Sequence, residues 1–388
     1  MKKNKLFLFI AMVTAVLVVL TACSTNNSNN TNNDDSAPGI ARPMPELIDP
    51  DLIPELVDVH VVLIGHSPAS SLNDGSFNQG AYDGILRFAE SFPDTVHQFM
   101  QPTESSDEAH INAIEMAIES GANVIVLPGL HFATSLYVAQ DMFPETKFII
   151  LDASPRNPET NQVRVEPNVA AVHYAEEQAG FLAGYAAVME GYQSLGFMGG
   201  APVPAVTRFG SGFVQGAEFA AVTLGMDPGQ VTIEYHYLGG FQPAPEHLTR
   251  AASWFAAGTE VIFVAAGGAG MSVMAAAEAE GGAVIGVDVD QYHLSETIIT
   301  SALKGLDVSV YDLLVSFTNG FFFGGFENRL EAHSGGVALA MDTARLTNFS
   351  QAQYESILLR LINGEITVDN TDTPGFMPEV FLVTVNVQ

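Results

Sequence analysis

The sequence predicts an α/β protein built as two lobes, each a parallel sheet covered on both faces by helices. Three observations carry this. Short apolar runs alternate with helix-length amphipathic segments, and the alternation occurs twice, from Val59 to Leu151 and again from Leu195 to Val287. The strand segments are continuously apolar, as strands buried on both faces are. The chain has 388 residues and is 47% hydrophobic, more than one ordinary core holds.

In the first series, Val59 to Ile64 is a strand ending at Gly65. Asn78 to Ser91 is a helix with Ala81, Ile85, Phe88 and Ala89 on one face. Val96 to Met100 is a strand, and Asp107 to Ser120 a helix closed by Gly121. Asn123 to Leu127 is a strand, Phe132 to Met142 a helix and Lys147 to Leu151 a fourth strand. A long helix, Ala175 to Glu190, leads into the second series. There Leu195 to Met198, Val231 to Tyr237, Val261 to Ala265 and Ala283 to Val287 are strands. Phe209 to Leu224, Glu246 to Ala257 and Met271 to Glu280 are the helices between them. After Gly325 the pattern is less regular, with a helix over Gln351 to Ile362 and a last strand over Val380 to Val387.

Ahead of the first strand, Lys2, Lys3 and Lys5 precede an apolar run from Leu6 to Leu20. A basic head, a short apolar body and a small-residue exit describe a secretory signal. Fifteen residues is short of the ~20 a bilayer span needs. The exit Leu20-Thr21-Ala22-Cys23 resembles a bacterial lipobox, which implies cleavage before Cys23 and lipidation of its thiol. Cys23 is the only cysteine, so an exported chain has no disulfide frame. Residues 1–22 read as a lipoprotein signal peptide and 23–57 as a tether, because Ser24 to Pro38 is rich in Asn, Ser and Thr and cannot build a core.

The chain carries 14 basic against 44 acidic residues, and loss of the three signal lysines takes the net charge from −30 to −33. Such a surface repels nucleic acid and anionic lipid, and it disfavours highly phosphorylated ligands.

In doubly wound sheets the chemistry sits beyond the carboxyl ends of the strands. Those positions hold Asn73 to Gln79, Pro128-Gly129, Asp152, Gly199-Gly200 with the approach to Phe209, Gly267-Gly268-Ala269-Gly270 and Asp288-Val289-Asp290-Gln291. Enzyme signatures are weak here. The ten histidines are scattered, and no nucleophile elbow stands at a strand end. The Gly267 run lacks dinucleotide-loop spacing, because position 272 is Ser. Glu176 and Glu177 point different ways on a helix. Read as a binding cleft, the same positions offer aromatic faces, two carboxylates, amides, glycine backbone donors and one lysine, Lys304. That set suits a flat polar ring attached to a polyol: aromatics stack, and carboxylates accept from N–H and hydroxyl groups.

Six blocks in order then resemble the basic membrane protein family, substrate-binding lipoproteins similar to the purine nucleoside receptor. They are Asp74 to Gln79, Glu176 to Tyr185, Gly196 to Gly200 with Phe209 to Ala217, Ala265 to Gly270, Ile285 to Gln291 and Thr300 to Asp307. The resemblance implies a type I periplasmic-binding-protein fold, two doubly wound lobes joined by a three-stranded hinge. It places 58–168 plus about 290–322 in the N-terminal lobe and 169–289 plus about 323–388 in the other. It implies that Phe77 and Phe209 sandwich a base, Asn78 and Asp152 read its edge, and Asp288 holds ribose hydroxyls with Lys304 and the Gly267-Gly268 backbone assisting. It also implies a monomer on the extracytoplasmic face of the cell membrane, held by lipid alone. Its partner is an ABC permease, and it has no catalytic role, cofactor, metal or nucleic-acid partner. One departure stands out. The family's compact turn with an Asp after strand one is replaced by the longer run Gly65 to Asn73, where His66 or Asn73 takes the contact. Two other readings are a sensory module of the same fold for another small polar ligand, and a nucleoside hydrolase using Asp288-Val289-Asp290 to grip a metal.

If Cys23 is the lipid acceptor, Cys23→Ala yields unlipidated, mislocalised protein. Metabolic labelling with a palmitate analogue reads this directly, and equal label on parent and variant removes the anchor.

Overall fold

The computed structural model describes Leu56–Gln388, and the expected signal peptide, Cys23 and nearly all of the tether lie outside the described residues. The first sheet has the order β2-β1-β3-β4-β5-β11, all parallel. Its strands are β1 (His60–Ile64), β2 (Val96–Met100), β3 (Val124–Pro128), β4 (Lys147–Leu151), β5 (Val169–Tyr174) and β11 (Phe326–Leu330). The second sheet runs β13-β7-β6-β8-β9-β10-β12. It comprises β6 (Ser194–Gly199), β7 (Val231–Tyr237), β8 (Val261–Ala265), β9 (Ala283–Asp288), β10 (Ile298–Lys304), β12 (Val337–Leu339) and β13 (Val383–Val387). Only β12, on β10, is antiparallel. The orders 2-1-3-4-5 and 7-6-8-9-10 are the same, so β4 and β9 occupy equivalent places in the two lobes.

The helices are α1 (Phe77–Ser91), α2 (Asp107–Glu119), α3 (Ala133–Met142), α4 (Glu176–Glu190), α5 (Pro204–Leu224), α6 (Pro245–Ala256), α7 (Gly270–Glu280), α8 (Leu306–Thr318) and α9 (Gln351–Ile362). Their ends follow local chemistry. Ser106 caps α2 by accepting from the Ala109 N–H, and Ser350 and Gln353 form a capping box on α9. Pro204 opens α5 five residues ahead of the expected start at Phe209, because proline is preset for a first helical turn. The first core gathers Ile64, Ile125, Leu127, Phe132 and Phe148. The second gathers Ile262, Val264, Val273 and Trp254.

The chain crosses between sheets three times: at Ala175 from β5 to α4, at Gly305 from β10 to α8, and over 331–336 from β11 to β12. This shifts the expected lobe boundaries. Val169–Tyr174 pairs with β4 in the first sheet, not the second. Ile298–Lys304 pairs with β9 in the second sheet, and Phe326–Leu330 returns to the first beside β5. The cause is long-range pairing, which leaves no periodic mark in sequence. Neither β5, β10, α8, β11 nor β12 is among the elements expected from periodicity.

Helix α4 is buried nearly all round, and it touches α5 backbone to backbone. A Cβ on Gly180 would stand 2.2 Å from the Phe209 carbonyl oxygen, and one on Gly184 2.0 Å from that of Phe213. From the other side, Gly212 and Gly216 abut the carbonyls of Glu177 and Phe181 at 2.1 and 2.0 Å. Alanine in place of a helical glycine ordinarily adds about 0.5–1 kcal/mol. Here the sign reverses: Gly184→Ala is expected to cost about 1–3 kcal/mol through overpacking. Urea denaturation reads it, and an unchanged or raised midpoint disproves the contact.

Candidate functional site

A cavity of about 290 Å³ lies at the carboxyl ends of the strands, walled by both lobes. All eight residues singled out as ligand contacts line it: Phe77, Asn78, Asp152, Phe209, Gly267, Gly268, Asp288 and Lys304. The structure brings the whole set together.

Each is placed by the end of an element. Asp74 accepts the backbone N–H groups of Ser76, Asn78 and Gln79, which caps α1 and presents Phe77 and Asn78 at its first turn. Asp152 follows β4 and Asp288 ends β9, the equivalent strands of the two lobes. Both adopt left-handed backbone, φ 59° and 66°. Such conformations cost about 1–3 kcal/mol for non-glycine residues and concentrate at functional sites. Gly267 opens a 3₁₀ turn after β8 at φ 53°, a conformation that suits glycine.

Lys304, the last residue of β10, is the centre. Its side chain is 1% exposed. Its ammonium contacts Asp152 Oδ2, lies 3.3 Å from Glu176 Oε1 and 4.0 Å from Asp288 Oδ1. It also stands over the rings of Phe77 (4.7 Å), Tyr174 (4.9 Å) and Phe209 (5.8 Å). Glu176 in turn accepts from Arg208 Nε at 2.7 Å, and Arg208 Nη1 donates to Asp372 at 2.9 Å.

Three buried carboxylates therefore surround one ammonium, and their protonation separates. Burial pushes Glu176 up, but Lys304 and Arg208 together hold it down at about 2. Burial pushes Asp152 up to about 7; Lys304 opposes this, while Glu176 and Asp288 reinforce it. Asp288 is also raised by burial. Against the desolvation of its own charge, Lys304 is raised by the carboxylates. Asp152 Oδ1 is buried and receives no hydrogen bond from the protein.

Several participants escape the sequence reading. Phe241 and Pro243, in the loop after β7, form a wall beside Gly267 and Gly268. Glu176 and Arg208 carry the countercharges, and Tyr174 lies beneath the ammonium. A lysine closing an apolar strand is the one signal that acidic partners must be near. As expected, Glu176 and Glu177 do not share a site, since Glu177 pairs with Arg329. In the divergent turn, His66 and Asn73 both line the cavity. His66 stacks on His131 at 4.5 Å, and burial lowers its pKa to about 4. Among the described residues no cluster of His, Cys, Asp or Glu is arranged to hold a metal. Asp288 and Asp290 are occupied by Ser76 and Thr343.

A two-lobed α/β architecture with an aromatic-walled cavity between its lobes is that of a protein built to enclose a small molecule. Residues 61–372 match the family model described as ABC transporter substrate-binding protein PnrA-like, and the chain belongs to that family, Bmp. It is similar to the ABC transporter nucleoside-binding protein BmpA of Lactococcus lactis, at 26% identity covering 77% of this chain and 86% of that one. It is also similar to basic membrane protein B of Borreliella burgdorferi, at 27% identity covering 76% and 84%. Its fold matches the crystal structure of an ABC transporter solute-binding protein from Aeropyrum pernix, with TM-score 0.69 and 23% identity over 81% of this chain and 94% of that one. The protein is thus an ABC transporter substrate-binding protein, and its relatives are binding proteins rather than enzymes. Among the described residues no helix is long and apolar enough to cross a membrane.

The protonation of Asp152 makes stability depend on pH. The folded chain keeps its proton up to pH about 7, whereas the unfolded chain releases it near 3.8. This stabilisation is complete below the lower value and is lost as pH rises through the upper one. The stability of the parent relative to Asp152→Asn should therefore fall between these two pH values. Denaturant midpoints across pH check it, and parallel profiles would place the proton elsewhere.

Proposed function

We propose that this protein is lipid-anchored through Cys23 on the extracytoplasmic face and binds a nucleoside, a purine by preference, for delivery to its ABC permease. The observation that carries the reading is the meeting, at one cavity, of the rings of Phe77 and Phe209 with the polar side chains of Asn78, Asp152 and Asp288. The buried Asp152 carboxyl can meet a polar edge of the ligand, donating while it keeps its proton and accepting once it is ionised. A base supplies donors and acceptors along its edge and two faces for the aromatic side chains, while Asn78 offers amide groups beside it. Asp288 is suited to vicinal hydroxyls. The volume of about 290 Å³ is at the small end of ligand cavities. The Lactococcus relative is named as nucleoside-binding, which supports the same class.

Phosphate is disfavoured. Lys304 is already matched by Asp152, Glu176 and Asp288, and Arg208 by Glu176 and Asp372. A nucleotide would bring its charge into a site with no cation left to answer it.

Calorimetric titration tests this with inosine, guanosine, adenosine, cytidine, 2′-deoxyguanosine and guanosine monophosphate. Purine ribonucleosides should bind, and the deoxynucleoside and the monophosphate much more weakly. Stacking on an aromatic contributes about 1–3 kcal/mol per base, so Phe209→Ala should weaken binding roughly 5- to 150-fold. Tight binding of the monophosphate, or of no nucleoside, overturns the ligand class. Unchanged affinity in a folded Phe209→Ala variant removes that ring from the contact.

A further inference from the structure

The two lobes also meet along a seam beside the cavity, bonded directly from protein to protein. On one side lies the start of α1, residues 74–80, in the first lobe. On the other lies the turn after β9, residues 288–294, in the second. Ser76 Oγ donates to Asp288 Oδ2 at 2.5 Å. Gln291 Nε2 donates to the Gly75 carbonyl at 2.6 Å. Both bonds are buried, and both join residues more than 200 apart in sequence.

The seam is shaped as well as bonded. Gly75 has φ 64°, and a Cβ there would stand 2.8 Å from Leu294 Cδ1. A Cβ on Gly80 would meet Val289 Cγ1 at 2.7 Å. Both glycines thus fit against side chains of the opposite lobe. Gln291 itself is braced: its Oε1 accepts the Val287 N–H at 2.9 Å and its own N–H donates to Ser301 Oγ at 3.1 Å. These bonds within the second lobe aim its side-chain amide across the seam.

We infer that Ser76 and Gln291 are positioning residues: they close the lobes through protein–protein bonds and, in Ser76, fix the carboxylate of Asp288 for the ligand. The closed arrangement is then populated without solute. Ser76 occupies Asp288 Oδ2, so the solute meets a carboxylate already oriented, with Oδ1 turned toward Lys304. The inference builds on the cleft as a solute site but not on the solute being a nucleoside.

The test measures lobe separation in the empty protein, so its outcome is independent of ligand class. Full-length protein with Cys23→Ala carries spin labels at Met116→Cys on α2 and Val222→Cys on α5, both exposed positions in opposite lobes. Pulsed dipolar spectroscopy on the labelled parent should show a populated closed distance. Hydrogen bonds to charged groups are the stronger kind, so Ser76→Ala should raise the open-to-closed ratio roughly 10- to 100-fold. Ser76→Thr keeps the hydroxyl and should restore the parent distribution. Gln291→Glu keeps the acceptor for Val287 but turns the donor into a carboxylate facing the Gly75 carbonyl, and should open the lobes as Ser76→Ala does. A wholly open empty parent, or the same distribution in parent and both variants, overturns the inference. A closed, latch-dependent parent that ignores every nucleoside would support the seam and sink the ligand class alone.

Discussion

The site depends on one buried ammonium. Lys304 sits at the last position of β10, one residue before the chain crosses back to the first lobe. Its countercharges come from three separate pieces: Asp152 from the end of β4, Glu176 from the first residue after another crossing, and Asp288 from the end of β9. Breaking a buried ion pair leaves a charge without its partner and typically costs several kcal/mol. Any shift of a lobe or of a crossing that separated these groups would incur that cost. One charge cluster therefore ties both sheets and two of the three connections to a common register. The left-handed backbone at Asp152 and Asp288 is strain that this cluster helps to hold.

The cluster has one carboxylate too many. Arg208 answers Glu176, yet it is shared with Asp372 from the C-terminal segment. What remains is two aspartates for one ammonium, and burial together with this excess of negative charge keeps the proton on Asp152. This sets the chemistry of any solute more firmly than the size of the cavity does. A further negative charge is disfavoured beside these carboxylates. A chain of net charge −30 adds its field in the same direction.

Much of this was legible in the sequence, for physical reasons. Continuous apolar runs announce doubly covered strands, and the rule that ligands meet strand ends selects Asp152, Asp288 and the Gly267 turn. The elements missed are those whose identity depends on partners. β11, Phe-Glu-Asn-Arg-Leu, is a half-polar edge strand with three exposed residues, and no local pattern marks it. β5 and β10 are apolar, but which sheet each joins is decided by pairing far along the chain. In the site, Phe241 enters from an irregular loop, and Ser76 looks like an ordinary turn residue until Asp288 is seen beside it. Glu176 reads as an acidic first-turn residue, which favours a helix N-terminus in any protein. The buried cations beside it, Arg208 at 2.7 Å and Lys304 at 3.3 Å, give it another meaning.

Packing in the second lobe limits what can move. Gly180 abuts the carbonyl of Phe209, so the cavity's aromatic wall and the helix that begins with Glu176 are in direct backbone contact. Neither helix can slide along the other without driving a carbonyl into a chain, because four glycines mesh at separations a Cβ could not tolerate. The wall carrying Phe209 and the countercharge on Glu176 thus move as one body. Close-packed interiors transmit strain rather than absorb it. Motion between the lobes is left to the three crossings and to surfaces joined by side-chain bonds, and the seam at Ser76 and Gln291 is of that kind. Rigid lobes with a breakable seam are the condition for a hinge motion to expose and cover the cavity without dismantling it.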